Sequence, residues 1–208
     1  GVGHGFVVGA EAQTAGRGRR GRRWQGVPGQ GLTFSVVVRP PWPGDRWGWL
    51  ALGAGVGVCE ALEERGLAPA IKWPNDVLLK RRKAGGILVE RVGEAAVVGI
   101  GLNVNEQEFP EDLPATSLAL AAGKEFGREE ILEAVLTRVL AVFERETPEV
   151  ARSVWSRLAW RDEEVQTEAG ARGRIRGFGE NGELKVATGD RLLSVTDADG
   201  IRPCGPSR

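Results

Sequence analysis

Residues 71–90 read Ile-Lys-Trp-Pro-Asn-Asp-Val-Leu-Leu-Lys-Arg-Arg-Lys-Ala-Gly-Gly-Ile-Leu-Val-Glu, and this stretch decides the fold. Residues 71–73 close one apolar strand, Pro74-Asn75-Asp76 carries turn chemistry, and 77–79 resume as a strand. Lys80, Arg81 and Arg82 then read as a solvated hairpin tip, and Lys83 stands before a Gly85-Gly86 step into the strand 87–91. Connections this short join antiparallel neighbours, whereas a parallel crossover needs about a dozen residues. Strands expected at 69–73, 77–79, 86–91 and 95–101 therefore accumulate into a mixed or antiparallel sheet. The class is α+β, with helices packed against the sheet, and not a doubly wound fold.

Upstream, a strand is expected at 6–11 and a second at 32–39, where Phe34, Val36 and Val38 alternate with Thr33, Ser35 and Val37. A helix is predicted from near Asp45 to Glu64, stopped by Gly66. Gly53, Gly55 and Gly57 within it invite a dinucleotide reading, but no strand leads tightly into them and the spacing fails. Close packing of the helix on the sheet explains them better. Downstream, 104–115 is a loop, Thr116 or Ser117 caps a short helix through Ala122, and 128–146 is an amphipathic helix with Ile131, Val135, Val139 and Phe143 on its apolar stripe. Pro148 opens another helix carrying Val154, Trp155 and Leu158. Beyond Arg161 short strands broken by glycine follow, with Glu180-Asn181-Gly182-Glu183 as a hairpin turn. Two units result, 1–160 and 161–208.

The 208 residues are 41% hydrophobic, enough for a large domain and a small one. With 28 basic and 28 acidic residues the chain lacks the net basic footprint of a nucleic-acid-binding domain. No apolar run is long enough to span a bilayer, and the N-terminus lacks a signal-peptide layout, so a cytoplasmic protein without a membrane partner is expected. Cys59 and Cys204 are too few for a disulfide framework. A single histidine, His4, excludes histidine-dependent triads and most zinc sites.

Chemistry is concentrated in two places. Residues 13–24 read Gln-Thr-Ala-Gly-Arg-Gly-Arg-Arg-Gly-Arg-Arg-Trp, with Arg17, Arg19, Arg20, Arg22 and Arg23 spaced by Gly16, Gly18 and Gly21. Guanidinium forks match carboxylate and phosphate oxygens, and glycines let the backbone approach a ligand. A solvated basic loop, or an Arg/Gly segment binding nucleic acid, would show the same run. The neutral overall charge favours a small anionic ligand. Of only five lysines, Lys72, Lys80 and Lys83 fall within twelve residues. Lys72 and Lys83 sit beside turns of special geometry, which marks them as candidate functional cations.

These segments resemble the biotin protein ligases. Residues 13–22 look like that family's biotin and adenylate loop, Lys72-Trp73-Pro74-Asn75-Asp76 its second signature, Lys83-Ala84-Gly85-Gly86-Ile87-Leu88-Val89-Glu90 its third, and Gly99-Ile100-Gly101-Leu102-Asn103-Val104-Asn105 its fourth. The resemblance implies a class II aminoacyl-tRNA synthetase-like (biotin-lipoate ligase) fold, closed by a small C-terminal SH3-like β-barrel. It implies activation of biotin with ATP and Mg2+ to biotinyl-5'-AMP, and transfer to a lysine of a biotin carboxyl carrier protein. By carry-over Lys83, Arg17 and Lys72 are catalytic. Gln13, Gly16, Arg17, Gly18, Arg19, Trp24, Lys83 and Gly86 bind biotin. Arg19, Arg20, Trp24, Lys72, Asn75 and Asn103 bind ATP or the adenylate, and Asp76 touches magnesium or caps its turn. Trp73 is expected to pack on the biotin pocket or the core.

One departure stands out, because the family carries a Ser-Thr-Asn element upstream of the first strand and no Ser-Thr pair occurs here. The chain begins at Gly1 and contains no methionine, so either it is a fragment or has an altered start, or biotin is held with fewer contacts than the family's usual set. There is no room for an N-terminal helix-turn-helix, so no DNA-binding repressor role is expected. A lipoate ligase or acyltransferase of the same fold, and a nucleic-acid-binding module, are the alternative readings. A homodimer through an exposed sheet edge stays open.

Overall fold

The computed structural model describes residues 2–196 and 200–205. The elements run β1 (Val7–Gly9), β2 (Leu32–Val38), α1 (Trp49–Glu63), β3 (Pro69–Lys72), β4 (Asp76–Leu79), β5 (Arg82–Val92) and β6 (Ala95–Leu102). Three helices follow, α2 (Leu118–Ala122), α3 (Arg128–Phe143) and α4 (Thr147–Arg157). Five strands end the order, β7 (Glu164–Thr167), β8 (Arg172–Phe178), β9 (Leu184–Thr188), β10 (Arg191–Val195) and β11 (Ile201–Pro203).

The first sheet has six strands in the order β1-β2-β6-β5-β4-β3, every pair antiparallel. Alternation on β2 sorts its residues as the sequence predicts: Leu32, Phe34, Val36 and Val38 are buried, while Thr33, Ser35 and Val37 face the other side half-buried. The buried face meets α1 and, beyond it, α3. A Cβ at Gly57 would lie 2.6 Å from the Val139 backbone of α3. That glycine therefore answers to a helix–helix approach, and not to the sheet contact expected for it. Helix α1 also starts later than expected, at Trp49, after a short 3-10 turn at Gly44–Arg46.

The opposite face of the sheet carries Gly86, Leu88 and Glu90 on β5 and Gly99 and Gly101 on β6, paired in register with Ser35 and Thr33 on β2. This is the face on which the site assembles.

The second sheet runs β10-β9-β8-β7-β11, again antiparallel, with Gly182 at a φ of 80° in the expected 180–183 turn. Its outer strands β10 and β11 are not paired with each other among the described residues, so a closed SH3-like barrel is not seen. Residues 1, 197–199 and 206–208 of the two expected units lie outside the described residues. The sheets are tied together. The indole N–H of Trp49 donates to the Glu180 carbonyl at 2.9 Å, and that of buried Trp73 to the Gly182 carbonyl at 3.0 Å. Trp73 thus serves the core and the second sheet.

Candidate active site

Strand geometry explains the lysine cluster. Lys72 ends β3 and Asp76 opens β4 as its register partner, while Asp76 also pairs with Gly86 of β5. A register shift between Val77 and Leu78 then sets Lys83 opposite Leu78. The result places the Asp76 carboxylate between two ammonium groups, Lys83 Nζ at 2.6 Å from Oδ1 and Lys72 Nζ at 3.8 Å from Oδ2. Lys83 is fixed through its backbone as well: its N–H donates to the Pro114 carbonyl at 2.8 Å, and its carbonyl accepts from Thr116 at 2.9 Å. β5 thus begins earlier than expected, and Lys83 lies inside the strand and not in a turn before it.

The hairpin tip is less free than its charge suggests. Lys80 and Arg81 have left-handed backbones, yet Arg81 donates both guanidinium ends to Glu163 at 2.7 and 3.0 Å, and Arg82 Nε donates to the Ala115 carbonyl at 2.8 Å.

The arginine loop folds down over the same face. Trp24 N–H donates to the Gly16 carbonyl, and Arg17 bridges to Arg23, so the loop closes on itself at its root. The Trp24 ring rests on Gly101 so closely that a Cβ there would lie inside the indole, and a Cβ at Gly86 would lie 3.4 Å from it. Lys83 Nζ stands 5.9 Å from the centre of the same ring. Gln13 points back at Gly16, where a Cβ would meet its Oε1 at 2.7 Å. The arginines are held by protein groups. Arg17 makes a two-pronged ion pair with Glu90 at 2.9 and 2.8 Å, Arg19 donates to Asn75 Oδ1 at 3.0 Å, and Arg20, itself left-handed at φ 57°, pairs with Glu168 of the second sheet at 2.5 Å. The Arg20 guanidinium holds the Glu168 carboxyl below its usual pKa, with Arg22 and Arg19 adding to the pull.

Asn75 and Asn103 build the frame. Asn75 Nδ2 donates to the Ile87 carbonyl at 2.7 Å, and its own carbonyl accepts from Ile87. Buried Asn103 donates to the Thr116 carbonyl at 3.0 Å and ties the end of β6 to the segment that holds Lys83.

The structure therefore brings Lys72, Asn75, Asp76, Lys83, Gly86, Trp24, Gly16, Gln13 and Arg19 to one face, joined by Gly18 and the rest of the loop. Arg17 lies on that face too, but near the other end of β5 from Lys83. Two cavities of about 510 and 390 Å3 border the arginine loop, one lined by residues 14–18 and 21–23 and the other by 17–20 and 88–90, and neither includes Lys83. Among the described residues no cluster of three His, Cys, Asp or Glu side chains could hold a metal ion.

Sequence reasoning missed Gly101 as the seat of Trp24, Glu168 as the counter-charge of Arg20, and Trp160, whose ring centre lies 5.7 Å from Lys72 Nζ. Glu106 was missed as well. It is buried with neither carboxylate oxygen hydrogen-bonded, and burial raises its pKa against the pull of nearby backbone amides and Arg128.

Arginine forks, fixed ammonium groups and a tryptophan on a glycine floor thus gather on one face of the first sheet. The pattern of the Biotin/lipoate A/B protein ligase family matches residues 2–105 of this sequence, and the chain belongs to that family. It is 33% identical over 216 residues to the bifunctional ligase/repressor BirA of Bacillus subtilis, covering 94% of this chain and 65% of that protein. It is 43% identical over 119 residues to the biotin--[acetyl-CoA-carboxylase] ligase of Mycobacterium tuberculosis, covering 55% of this chain and 45% of that protein. The chain thus spans less than two thirds of either curated relative. A solved biotin protein ligase from Aquifex aeolicus, in complex with biotin and ATP, superposes with a TM-score of 0.88 at 33% identity, over 98% of this chain and 91% of that one. No helix among the described residues is long and apolar enough to cross a membrane.

Proposed function

We propose that this chain is an ATP-dependent biotin ligase, which joins biotin to AMP and passes the biotinyl group to a lysine of a biotin carboxyl carrier protein. The observation that carries the reading is the pairing of Lys83 with Asp76 at 2.6 Å beneath a tryptophan seated on a glycine floor, with the arginine loop lying over the same face. In the first step the carboxylate oxygen of biotin attacks the α-phosphorus of ATP and pyrophosphate leaves with the bond's electron pair. Two anions must approach, so fixed cations matter more than acid–base groups. Lys83 stands where the carboxylate meets the α-phosphate, with Lys72 as second cation. Arg17 and Arg19 exchange Glu90 and Asn75 for ligand oxygens, and the loop excludes water from the reactive mixed anhydride. In the second step a neutral lysine amine attacks the acyl carbon, forming the amide and releasing AMP.

The donor set does not suit a resident metal. Asp76, the carboxylate beside the cations, has its two oxygens on ammonium groups. Magnesium belongs to the incoming nucleotide in this reading, and Asp76 serves the lysines. Residues 1–160 form the catalytic unit and 161–208 a second, SH3-like unit whose Glu168 braces the loop, within a cytoplasmic protein.

The test is biotin-dependent ATP–pyrophosphate exchange on the chain as given, run beside lipoate, with calorimetric titration of biotin. Exchange with biotin and none with lipoate is expected. Exchange with lipoate alone would transfer the assignment to the lipoate branch, and retention of oligonucleotides that falls steeply with salt would favour a nucleic-acid module.

A further inference from the structure

Residues 158–163 connect α4 to the second sheet, and they do so as a strap along the free edge of β3. Leu158 bridges Ile71 in parallel, the Ala159 N–H donates to the Ile71 carbonyl at 2.8 Å, and the Glu163 N–H donates to the Trp160 carbonyl at 3.0 Å. Glu163 is anchored in turn by the two-pronged pair with Arg81 at the β4–β5 turn. Between these ties Trp160 adopts a left-handed backbone, φ 59°, which bulky side chains avoid unless their surroundings enforce it. What the enforced geometry achieves is delivery of the indole to Lys72.

Lys72 needs such a contact. Lys83 has a short ion pair to Asp76 and backbone anchors on both sides, but Lys72 reaches Asp76 only at 3.8 Å and ends an edge strand, its side chain one-third exposed. A flexible four-carbon stem held by one long ion pair would sample many rotamers. The ring face within about 6 Å gives it a second attraction. A chain of contacts results, Trp24 to Lys83 to Asp76 to Lys72 to Trp160, with an indole at each end.

We propose that Trp160 is a positioning residue for Lys72, holding its ammonium beside Asp76 and so aimed at the phosphates of the nucleotide. The inference rests on the ligase reading, in which Lys72 is the second cation.

Two measurements test it on the full chain. In lysine labelled with 13C at the ε position, five resonances are assignable by substitution, since the chain has five lysines. The Lys72 signal should be displaced by the ring current and return to the ordinary lysine position in Trp160→Leu, while the Lys83 signal stays in place. In biotin-dependent ATP–pyrophosphate exchange, Trp160→Leu should raise KM for ATP about three- to fivefold, the scale of one cation–π contact, with KM for biotin unchanged. Trp160→Phe should restore most of the loss, and on a Lys72→Met background Trp160→Leu should cost nothing more. An undisplaced Lys72 signal, a Phe variant as poor as Leu, or an equal loss on the Lys72→Met background would overturn the proposal. If Trp160→Leu does not fold, the Lys72 signal in wild type and Trp160→Phe decides alone. Absence of biotin-dependent exchange in the wild type would sink the ligase reading instead, and the labelled spectrum would still report on the contact.

Discussion

The arginine loop and the lysine strands put positive charge on the same face of one sheet, yet the two are held differently. Lys83 is woven into β5 by its backbone, and its ammonium is aimed by a carboxylate on the neighbouring strand. Arg17 and Arg20 sit on a glycine-spaced loop with exposed side chains, and their guanidinium groups are held by surface carboxylates. Exposed ion pairs of this kind contribute little to stability, because water screens them, so they yield to a ligand at little cost. In the proposed ligase reading, the contrast separates a half of the site that the sheet fixes before any ligand arrives from a half that would trade protein carboxylates for substrate oxygens.

The contrast is broken most directly at Lys83. Lys83→Ala is expected to keep the fold and lower adenylate formation by about two to three orders of magnitude, as loss of one transition-state stabiliser does. Wild-type pyrophosphate release by that variant would place the chemistry elsewhere. A smaller effect is expected at the contact between the halves. Gly101→Ala pushes a methyl into the Trp24 ring and should weaken biotin binding about ten- to hundredfold, the scale of an overpacked site, and calorimetry reads it. If affinity were unchanged, the loop would not depend on its glycine seat. On the exchangeable half alone, Arg17→Gly should release biotinyl-adenylate about tenfold faster, the scale of one charged hydrogen bond. An unaltered dissociation rate in a trapping assay would deny the loop its role as a lid.

The smallest effect belongs to the scaffold. Glu106 lies against Gly31, where the chain returns from the loop into β2. Its folded pKa is raised by burial, so the native state resists its ionisation. The penalty is absent at pH below the unfolded carboxyl value, grows as pH rises from that value to the higher folded one, and is constant above it. Glu106→Gln should therefore stabilise the protein by about 1 kcal/mol at pH 8 and by nothing at pH 4, with adenylate formation unaltered. Thermal melts at the two pH values check the sign, and a gain that is equal at both would show that charge is not the cause.

What the sequence discloses follows the same division. Period-two alternation on β2 and the short turns of 71–101 specify the antiparallel sheet, because burial and turn chemistry are local. The lysines and arginines were legible as cations for the same reason. Their partners were not. Glu168 lies 148 residues from Arg20, and no local pattern announces that pair. Trp160 reads as one more apolar residue after a helix, since its left-handed backbone is imposed by ties to β3 and to Arg81. Gly57 looked like a sheet contact because a glycine's neighbour is invisible until α3 is placed. The tip residues Arg81 and Arg82 read as solvated, though their guanidinium groups fasten the strap and the 114–116 segment.

The bonds from Trp49 and Trp73 to the 180–182 turn carry a consequence for any attempt to shorten this protein. Trp73 is one of the three residues between Lys72 and Asp76, and its buried indole nitrogen depends on a carbonyl more than a hundred positions away. A piece ending near residue 160 would orphan both indoles and bare the edges of Trp49 and Trp155 that pack against Phe178. Cutting at the apparent boundary would thus loosen the turn that sets Lys72 beside Asp76, and the terminal sheet acts as a brace for the first sheet more than as an appendage to it.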